Sequence, residues 1–208
     1  MADDVAFLIS PARCDGRRAQ VLMNPSASFD LARNLRGDAG APIGEVFSFL
    51  SGLYFRGKLS YARALTPTQR EASHIRIITT ERGLIPPTEH VKRDDLVAFG
   101  DVDIANGDAR YLMPLRRDAE LLARKLPSTT GVVLLGSIAT GKYVDTLLEV
   151  FGDRLLFPAA FVGRGDMSRG GLLLRHAQSG MPLDYIPVAG AVRRGKRPPK
   201  LAPIGREK

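Results

Sequence analysis

Short apolar runs alternate along this chain with longer segments in which apolar residues recur at helical spacing. Short runs are typical of buried strands, and helical spacing is typical of helices packed on a core. We therefore predict an α/β fold with an open, mostly parallel central sheet flanked by helices. The predicted strands are residues 5–9, 19–23 (a weaker candidate), 75–79, 132–135 and 155–162, the last broken or edged by Pro158.

Helical spacing is clearest in four segments. The predicted helices are residues 42–65 with possible interruptions at Gly52 and Gly57, a segment opened by Pro114, a segment from residue 141, and residues 168–178. Between residues 81 and 110, prolines, aspartates and glycines predict a loop with little regular structure.

Composition indicates a globular protein with one core. The chain has 208 residues, of which 44% are hydrophobic, and we predict a single domain over 1–190 followed by a tail over 191–208. Its one cysteine, Cys14, excludes an internal disulfide and fits the reducing cytoplasm. Neither a signal-peptide pattern nor an apolar run of 18 residues is present. The three histidines lack metal-ligand spacing, so we predict no metal and no cofactor.

The positive charge of the chain is concentrated in the tail. Seven basic residues and one acidic residue in 191–208 account for +6 of the net +8. A Pro-rich basic segment of this kind is typically flexible and often lies along nucleic-acid phosphates. A solubilising tail is an equally good interpretation of the charge alone. Acidic membrane lipid is a weaker one, because the tail has no apolar face.

The segment after the predicted strand at 132–135 has the features of an anion-binding loop. Gly136 and Gly141-Lys142 have the spacing of a phosphate-binding P-loop. Bare backbone N–H groups and a lysine at a helix N-terminus would favour negative charge. However, Tyr143 stands where a P-loop needs Ser or Thr to hold magnesium. The segment therefore predicts binding of a phosphate-bearing partner rather than an ATPase.

Polar or glycine-rich segments follow four of the predicted strands. They begin at Ser10, Thr79, Gly136 and Gly163. In open α/β sheets, ligands bind in the crevice beyond the carboxyl ends of the strands. We therefore place the functional site where these four segments would converge.

Four short blocks of the sequence are similar to blocks of the bacterial peroxide-stress YaaA family. LISPAR (8–13) resembles its opening block, and HIRIITTERGLIPP (74–87) resembles a block with His, Arg, Gly and Pro at matching places. VVLLGSIATGKY (132–143) resembles its third block, and GRGDMSR (163–169) resembles its final block. The chain departs from the family at Arg13, where the family has Lys, and at Asp166, where it has an apolar residue.

This resemblance implies an α/β DNA-binding fold linked to the protection of DNA from damage. The arrangement of strands and loops is also similar to the class of uracil-DNA glycosylases, in which polar strand ends surround an extruded base. That second similarity is topological and serves as an analogy.

Candidate phosphate-binding groups lie in all four segments. Arginine presents a planar fork that matches phosphate, and glycine permits close backbone approach. An alternative interpretation of Arg164 and Arg169 is that they lie in a surface loop and pair with Asp166 or Asp153. The predicted nucleic-acid-binding or phosphate-binding residues are Ser10, Arg13, Arg82, Gly136, Ser137, Gly141, Lys142, Tyr143, Arg164, Gly165, Ser168 and Arg169.

Three carboxylates are candidates for chemistry: Asp166, Glu81 and Asp15. Hydrolysis of an N-glycosidic bond needs a carboxylate to orient water or to stabilise a developing oxocarbenium ion, and it needs no metal. A helix N-cap is a slightly better interpretation of Asp166. A buried polar turn is an equally good interpretation of Glu81.

These observations support three hypotheses. The first is a metal-independent hydrolase, similar to a DNA N-glycosylase, that acts on modified or damaged bases in DNA protection or in defence against foreign DNA. The second is a DNA-binding stress-protection protein without turnover. The third is a nucleotide-binding phosphotransferase. The predicted partner in the first two is DNA, and we expect a monomer in the cytoplasm.

Overall fold

The computed structural model describes residues 4–199 and Leu201. Its strands are β1 (Val5–Ile9), β2 (Ala41–Pro42), β3 (Ile75–Ile78), β4 (Leu84–Ile85), β5 (His90–Val91), β6 (Gly131–Leu135), β7 (Leu155–Pro158) and β8 (Tyr185–Pro187). Its helices are α1 (Arg17–Met23), α2 (Asp30–Arg36), α3 (Ile43–Ser51), α4 (Leu53–Leu65), α5 (Glu71–His74), α6 (Arg93–Asp101), α7 (Ala109–Lys125), α8 (Val144–Phe151) and α9 (Asp166–Ser179).

The central sheet has six strands in the order β4-β3-β1-β6-β7-β8. The four inner strands are parallel, and the two edge strands β4 and β8 are antiparallel to their neighbours. β2 and β5 form a separate antiparallel pair. β1 and β6 lie at the centre and are almost wholly buried, as their continuous apolar sequences require. The predicted α/β class with a mostly parallel sheet is confirmed.

Helices cover both faces of this sheet. The connection from β1 to β3 runs in one direction across the sheet, and the connection from β6 to β7 runs in the other. Since parallel connections are right-handed, these two connections place α4 and α8 on opposite faces. α9 packs against α4, and α7 packs against α8. Each face is therefore covered by a helix pair.

Two glycines allow α4 and α9 to cross in backbone contact. A Cβ added to Gly57 would lie 2.7 Å from the carbonyl oxygen of Gly170, and one added to Gly170 would lie 2.8 Å from that of Leu53. No real Cβ atom tolerates such distances. The predicted interruption at Gly57 is therefore wrong, because this glycine lies inside α4 at the crossing. The predicted interruption at Gly52 is confirmed, since Gly52 separates α3 from α4 with φ 61°.

Several predicted elements differ from the structure. Residues 19–23 are not a strand but belong to α1, because Ala19 and Leu22 are buried one helical turn apart. The segment 81–110 is not mainly a loop, since it contains β4, β5 and α6. Pro114 does not open its helix but lies inside α7, which begins after the N-cap Asp108.

Some element ends are shifted from the prediction. α8 begins at Val144 rather than at residue 141, α9 begins at Asp166, and β7 ends at Pro158. Asp166 is the first residue of α9, and its N-cap is Gly165. The interpretation of Asp166 as the N-cap is therefore wrong.

The described part of the tail contacts the body of the protein. Arg193 donates to Asp145 at 3.2 Å, and Arg164 donates to the carbonyl of Pro199 at 3.3 Å. The basic tail residues Lys200, Arg206 and Lys208 lie outside the described residues. Within 4–199, none of the helices combines the length and the apolar character needed to cross a membrane.

Candidate functional site

The four polar segments that follow β1, β3, β6 and β7 lie at one edge of the sheet. This follows from the structure, because the four strands are parallel and their carboxyl ends point the same way. The direction of the chain connections reverses between the neighbours β1 and β6, so their ends form the topological switch point. Ser10 follows β1, and its backbone N–H donates to the carbonyl of Leu135 in β6 at 3.2 Å. The site is built outward from this contact.

A buried lysine lies beneath the switch point. Lys58 of α4 is 1% exposed, and its Nζ donates to the carbonyl oxygen and to Oγ of Ser10, both at 2.8 Å. Its Nζ also lies 4.5 Å from the ring centre of Tyr54 and 4.9 Å from that of Phe55. These rings and Ser10 replace the water that Lys58 loses on folding.

The environment of Lys58 weakens its hold on a proton. Burial lowers the pKa of Lys58 from 10.5 to about 7, and the nearby charge of Asp166 partly opposes this shift. At neutral pH the amine is therefore divided between its charged and neutral forms. In the neutral form, its lone pair can accept the hydroxyl proton of Ser10.

Two tyrosines complete this buried cluster. Tyr143 Oη donates to the carbonyl of Ser137 at 2.9 Å and lies close to Ser10, so that a Cβ added to Gly136 would be 2.7 Å from Tyr143 Oη. Tyr54 Oη is buried and makes no hydrogen bond of normal geometry within the described residues, although Arg169 is close enough to act on its pKa. Burial raises the pKa of both tyrosines, so both stay protonated at neutral pH. We call Ser10, Tyr54, Lys58 and Tyr143 the buried cluster.

Asp166 is the predicted carboxylate whose charge reaches the buried cluster. Its charge acts on Lys58, Tyr54 and Tyr143, although its own side chain is 70% exposed. Arg169, one turn further along α9, lies 3.7 Å from it. The crossing of α9 over α4 explains this placement, because it brings the start of α9 over the helix that carries Tyr54 and Lys58.

Asp15 lies elsewhere along the same edge. Its carboxylate accepts from Nε and Nη2 of Arg13 at 2.6 and 2.9 Å, and this ion pair lowers its pKa. Arg13, Asp15 and Lys142 line one cavity of about 450 Å³ with residues of α6 and the segment after it. The structure therefore brings these three predicted residues together, in a place separate from the cavity that contains Arg164.

Glu81 and Arg82 lie in the turn after β3. The backbone of this turn is closed by Thr79, whose Oγ1 accepts from the N–H of Arg82 at 3.0 Å. Arg82 pairs with Glu89 at 3.3 Å and lies 3.8 Å from Asp95. Glu81 is partly exposed and acts electrostatically on Arg110. These contacts direct Arg82 toward α6 and not toward the buried cluster.

The loop between β6 and α8 is filled by the protein's own side chains. A Cβ added to Gly141 would lie 2.2 Å from the carboxylate of Asp145, which is in the first turn of α8. Ser137 Oγ accepts from the N–H of Ala139 at 3.3 Å. The exposed Lys142 lies two residues before the start of α8. The carboxylate beside Gly141 opposes a phosphate at the position that a P-loop would offer.

The loop between β7 and α9 is held by its two arginines. Arg169 donates twice to the carbonyl of Phe161, at 3.2 and 3.0 Å. Arg164 donates to the carbonyl of Ala160 at 2.9 Å and to Oγ of Ser168 at 3.2 Å. Arg164 and Ser168 line a cavity of about 300 Å³ with Gly165 and the tail. A Cβ added to Gly165 would meet nothing within 4 Å, so the start of α9 is open.

Lys58 is not among the residues predicted from the sequence, although it is almost wholly buried and contacts Ser10. A signal for it was present. Tyr54, Lys58 and Tyr61 have helical spacing in the sequence of α4, so a lysine occupies the apolar face of that helix. The aromatic residues Tyr54, Tyr143 and Phe161 are all buried, so none of them presents a ring to solvent.

A search of protein-family models, of curated proteins and of solved structures found no match to this chain. The resemblance to the YaaA family and the topological analogy with uracil-DNA glycosylases therefore stay predictions from the sequence. Within 4–199, no group of three or more His, Cys, Asp or Glu side chains is placed to hold a metal ion. What the structure itself provides is one sheet edge with a buried lysine and an exposed carboxylate above it.

Proposed function

We propose that this protein binds DNA at the carboxyl edge of its sheet and hydrolyses the N-glycosidic bond of a modified or damaged base, in DNA protection or in defence against foreign DNA. The observation that carries the proposal is the position of Asp166. Its exposed carboxylate begins α9, acts electrostatically on the buried cluster, and has an arginine 3.7 Å away. A carboxylate that reaches solvent at the carboxyl edge of the sheet suits the activation of water.

The chemistry assigned to Asp166 is general-base catalysis. Its carboxylate accepts a proton from water as the water oxygen bonds to C1′ of the sugar. The bond from C1′ to the base nitrogen breaks, the base leaves with the electron pair, and solvent supplies the proton that neutralises it. The negative charge of Asp166 also stabilises the positive charge that develops on the sugar. The products are a free base and an abasic site.

The test is base excision by the purified protein. Single-stranded and duplex oligonucleotides that carry different modified bases are incubated with the protein, and abasic sites are revealed by alkaline cleavage. We expect Asp166→Asn to lower the excision rate by about 100-fold or more, as loss of a general base does. The matched control is Asp30→Asn, since Asp30 is also the first residue of a helix and pairs with an arginine at i+3. We expect the control to keep the wild-type rate.

Two outcomes would contradict the proposal. One is that the wild-type protein leaves every modified oligonucleotide intact. The other is that Asp166→Asn and Asp30→Asn excise the base at the same rate.

Binding of DNA without turnover is a second candidate, favoured by the closure of the buried cluster. Lys58 is 1% exposed and Ser10 is 7% exposed, so neither reaches a bound strand without a local opening. This candidate predicts that oligonucleotides bind and remain intact. The phosphotransferase hypothesis is the least favoured, because Tyr143 points into the buried cluster and Asp145 faces Gly141.

A further inference from the structure

A groove of about 870 Å³ lies at the junction of α3 and α4, away from the buried cluster. Arg18, residues 48–53, Arg56 and Met167 line it. We call it the α3–α4 groove. It is lined by two exposed arginines and by no Asp or Glu. Its charge is therefore positive without local compensation, which favours an anionic ligand.

The two arginines of the α3–α4 groove have no acidic partner among the described residues. Arg18 makes one hydrogen bond, from Nη1 to the carbonyl of Phe49 at 3.2 Å, and pairs with no carboxylate described. The side chain of Arg56 has neither a hydrogen bond nor an ion pair within the described residues. By contrast, ion pairs with Asp or Glu engage Arg13, Arg33, Arg63, Arg70, Arg82, Arg93, Arg110, Arg116, Arg117, Arg169 and Arg193.

Met167 joins this groove to the cavity beside the tail. It is 70% exposed and lines both spaces. The second cavity is lined by Arg164 and Arg197 and, like the groove, by no described Asp or Glu. Asp166 lies between the lining residues Gly165 and Met167 in the chain, although it lines neither space itself. A ligand that spans both spaces would therefore cross the start of α9.

An aromatic pair lies at one side of the groove. Phe49 lines the groove, and Phe29 stacks on it with ring centres 5.3 Å apart and planes 21° from parallel. Phe29 is 37% exposed, so it presents aromatic surface to solvent. Flat aromatic surface beside unpaired arginines suits an unpaired base and its backbone, because bases stack on rings and guanidinium groups bind phosphates.

We infer that the α3–α4 groove and the tail cavity form one binding track for a single strand of DNA. Arg18, Arg56, Arg164 and Arg197 contact its phosphates, and Phe29 stacks on a base. This inference rests on the proposed function in one respect, namely that the strand on this track presents its target base to Asp166. An acidic peptide would meet the same charges, but its acidic side chains carry no ring for Phe29, whereas every nucleotide carries a base.

The test measures binding separately from excision. The probe is a fluorescein-labelled oligothymidine without any modified base, and binding is followed by fluorescence anisotropy at two salt concentrations. We expect Arg18→Ala/Arg56→Ala to raise Kd by at least about 10-fold and to reduce the slope of log Kd against log salt by about 1.4, or about 0.7 per lost phosphate contact on a single strand. We expect Phe29→Ala to weaken binding by about 5-fold or more, as loss of one stacked base does.

The matched control is Arg33→Ala/Arg63→Ala. It removes two exposed arginines that are engaged by Asp30 and Glu71, and Arg63 lies on the same helix as Arg56. We expect its Kd to stay within about 2-fold of the wild type, since exposed ion pairs contribute little. If this control weakens binding as much as the groove variant does, net charge alone accounts for binding and the track is overturned.

Two further outcomes separate this inference from the proposed function. Excision that depends on Asp166 together with unchanged binding by the groove variant would overturn the track and leave the proposed function standing. Weak binding by the groove variant in a protein that excises nothing would support the track and overturn the proposed function. Competition by polyglutamate at the affinity of the oligonucleotide would identify the partner as an acidic polypeptide and contradict the inference.

Discussion

Two strand–loop–helix connections, β6–α8 and β7–α9, lie at the same edge of the sheet. They differ in how much space their loops leave for an anion. In β6–α8, the Asp145 carboxylate lies where a Cβ of Gly141 would be, and Tyr143 turns inward to the buried cluster. In β7–α9, the space beside Gly165 is empty, Arg164 and Arg197 line the adjoining cavity, and the exposed Asp166 follows Gly165 in the chain. The first loop is occupied by its own side chains, and the second is open.

Glycine and lysine spacing therefore does not by itself make a phosphate site. The β6–α8 loop has the spacing of a P-loop, yet its helix begins only after Tyr143. The β7–α9 loop lacks that spacing, yet its helix begins directly after the exposed Gly165. Whether such a loop can bind phosphate depends on whether nearby side chains leave room and positive charge at the helix start.

A substitution that forces α9 away from α4 should lower the stability of the protein the most. In Gly170→Ala, the new Cβ would lie 2.8 Å from the carbonyl oxygen of Leu53 and 2.9 Å from Cα of Tyr54. We expect the free energy of unfolding in urea to fall by about 2–3 kcal/mol, since backbone atoms must move to make room. The open loop at the start of α9 should shift with its helix, while β6–α8 should not.

The adjacent glycine supplies the control. In Gly171→Ala, the new Cβ would lie 3.6 Å from Cδ1 of Leu201, which is an ordinary contact. We expect this variant to be as stable as the wild type or up to about 1 kcal/mol more stable, because alanine favours a helix over glycine. Equal losses in the two variants would show that α4 and α9 do not cross in backbone contact.

The second prediction concerns the pH dependence of stability that arises from Lys58, the lysine beneath the switch point. Folded Lys58 releases its proton near pH 7, whereas the unfolded residue releases it near 10.5. Between pH 7 and 10.5 the unfolded chain binds more protons than the folded protein, so the free energy of unfolding rises with pH. Below pH 7 Lys58 is charged in both states, and the folded protein bears the full cost of burying that charge. We expect the free energy of unfolding to increase by about 2 kcal/mol between pH 7 and 9 from this group, at about 1.4 kcal/mol per pKa unit.

Urea unfolding at pH 6, 7, 8 and 9 measures this dependence. In Lys58→Met the rise should disappear, whereas the exposed Lys142→Met should keep it. The same slope in Lys58→Met and in the wild type would mean that Lys58 does not titrate in this range.

The smallest change in stability is expected from a pair of glycine substitutions, one in each of the two loops. In Gly136→Ala, the new Cβ would lie 2.7 Å from Tyr143 Oη and 2.8 Å from Cβ of Ser10. We expect a loss of about 1–2 kcal/mol, because both neighbours are buried. In Gly165→Ala nothing lies within 4 Å, so the change should stay within about 0.5 kcal/mol. Thermal unfolding of the two variants measures the difference, and an equal loss would contradict the contrast between filled and open loops.

Much of the sheet could be predicted from the sequence, and less of its surroundings. The predicted strands at β1 and β6 are confirmed because continuous apolar runs have no other stable place than a buried sheet. Residues 19–23 were predicted wrongly because a short run with two buried positions fits strand and helix alike. The elements within 81–110 escaped prediction because β4 and β5 are only two residues long.

The position of the four polar segments at one edge of the sheet could also be predicted, but the side chains that meet there could not. Parallel strands bring their carboxyl ends to one edge, and this holds for Ser10 and Gly136. Which side chains meet there depends on the crossing of α4 and α9, residues far apart in sequence. The neighbourhood of Asp166 follows from that crossing, and the contact of Lys58 with Ser10 joins residues 48 positions apart. Local spacing places Lys58 on the apolar face of α4, but it does not show which residues Lys58 contacts.

The contact between Gly57 and Gly170 has a consequence for biosynthesis. The lysine and tyrosine of α4 leave the ribosome more than a hundred residues before the helix that lies across them. A nascent chain that ends before α9 can contain the whole of α4 and still have no carboxylate over it. The arrangement of α4 and α9 therefore cannot form until α9 has been synthesised, and a copy truncated before α9 would carry the groove arginines Arg18 and Arg56 without Asp166.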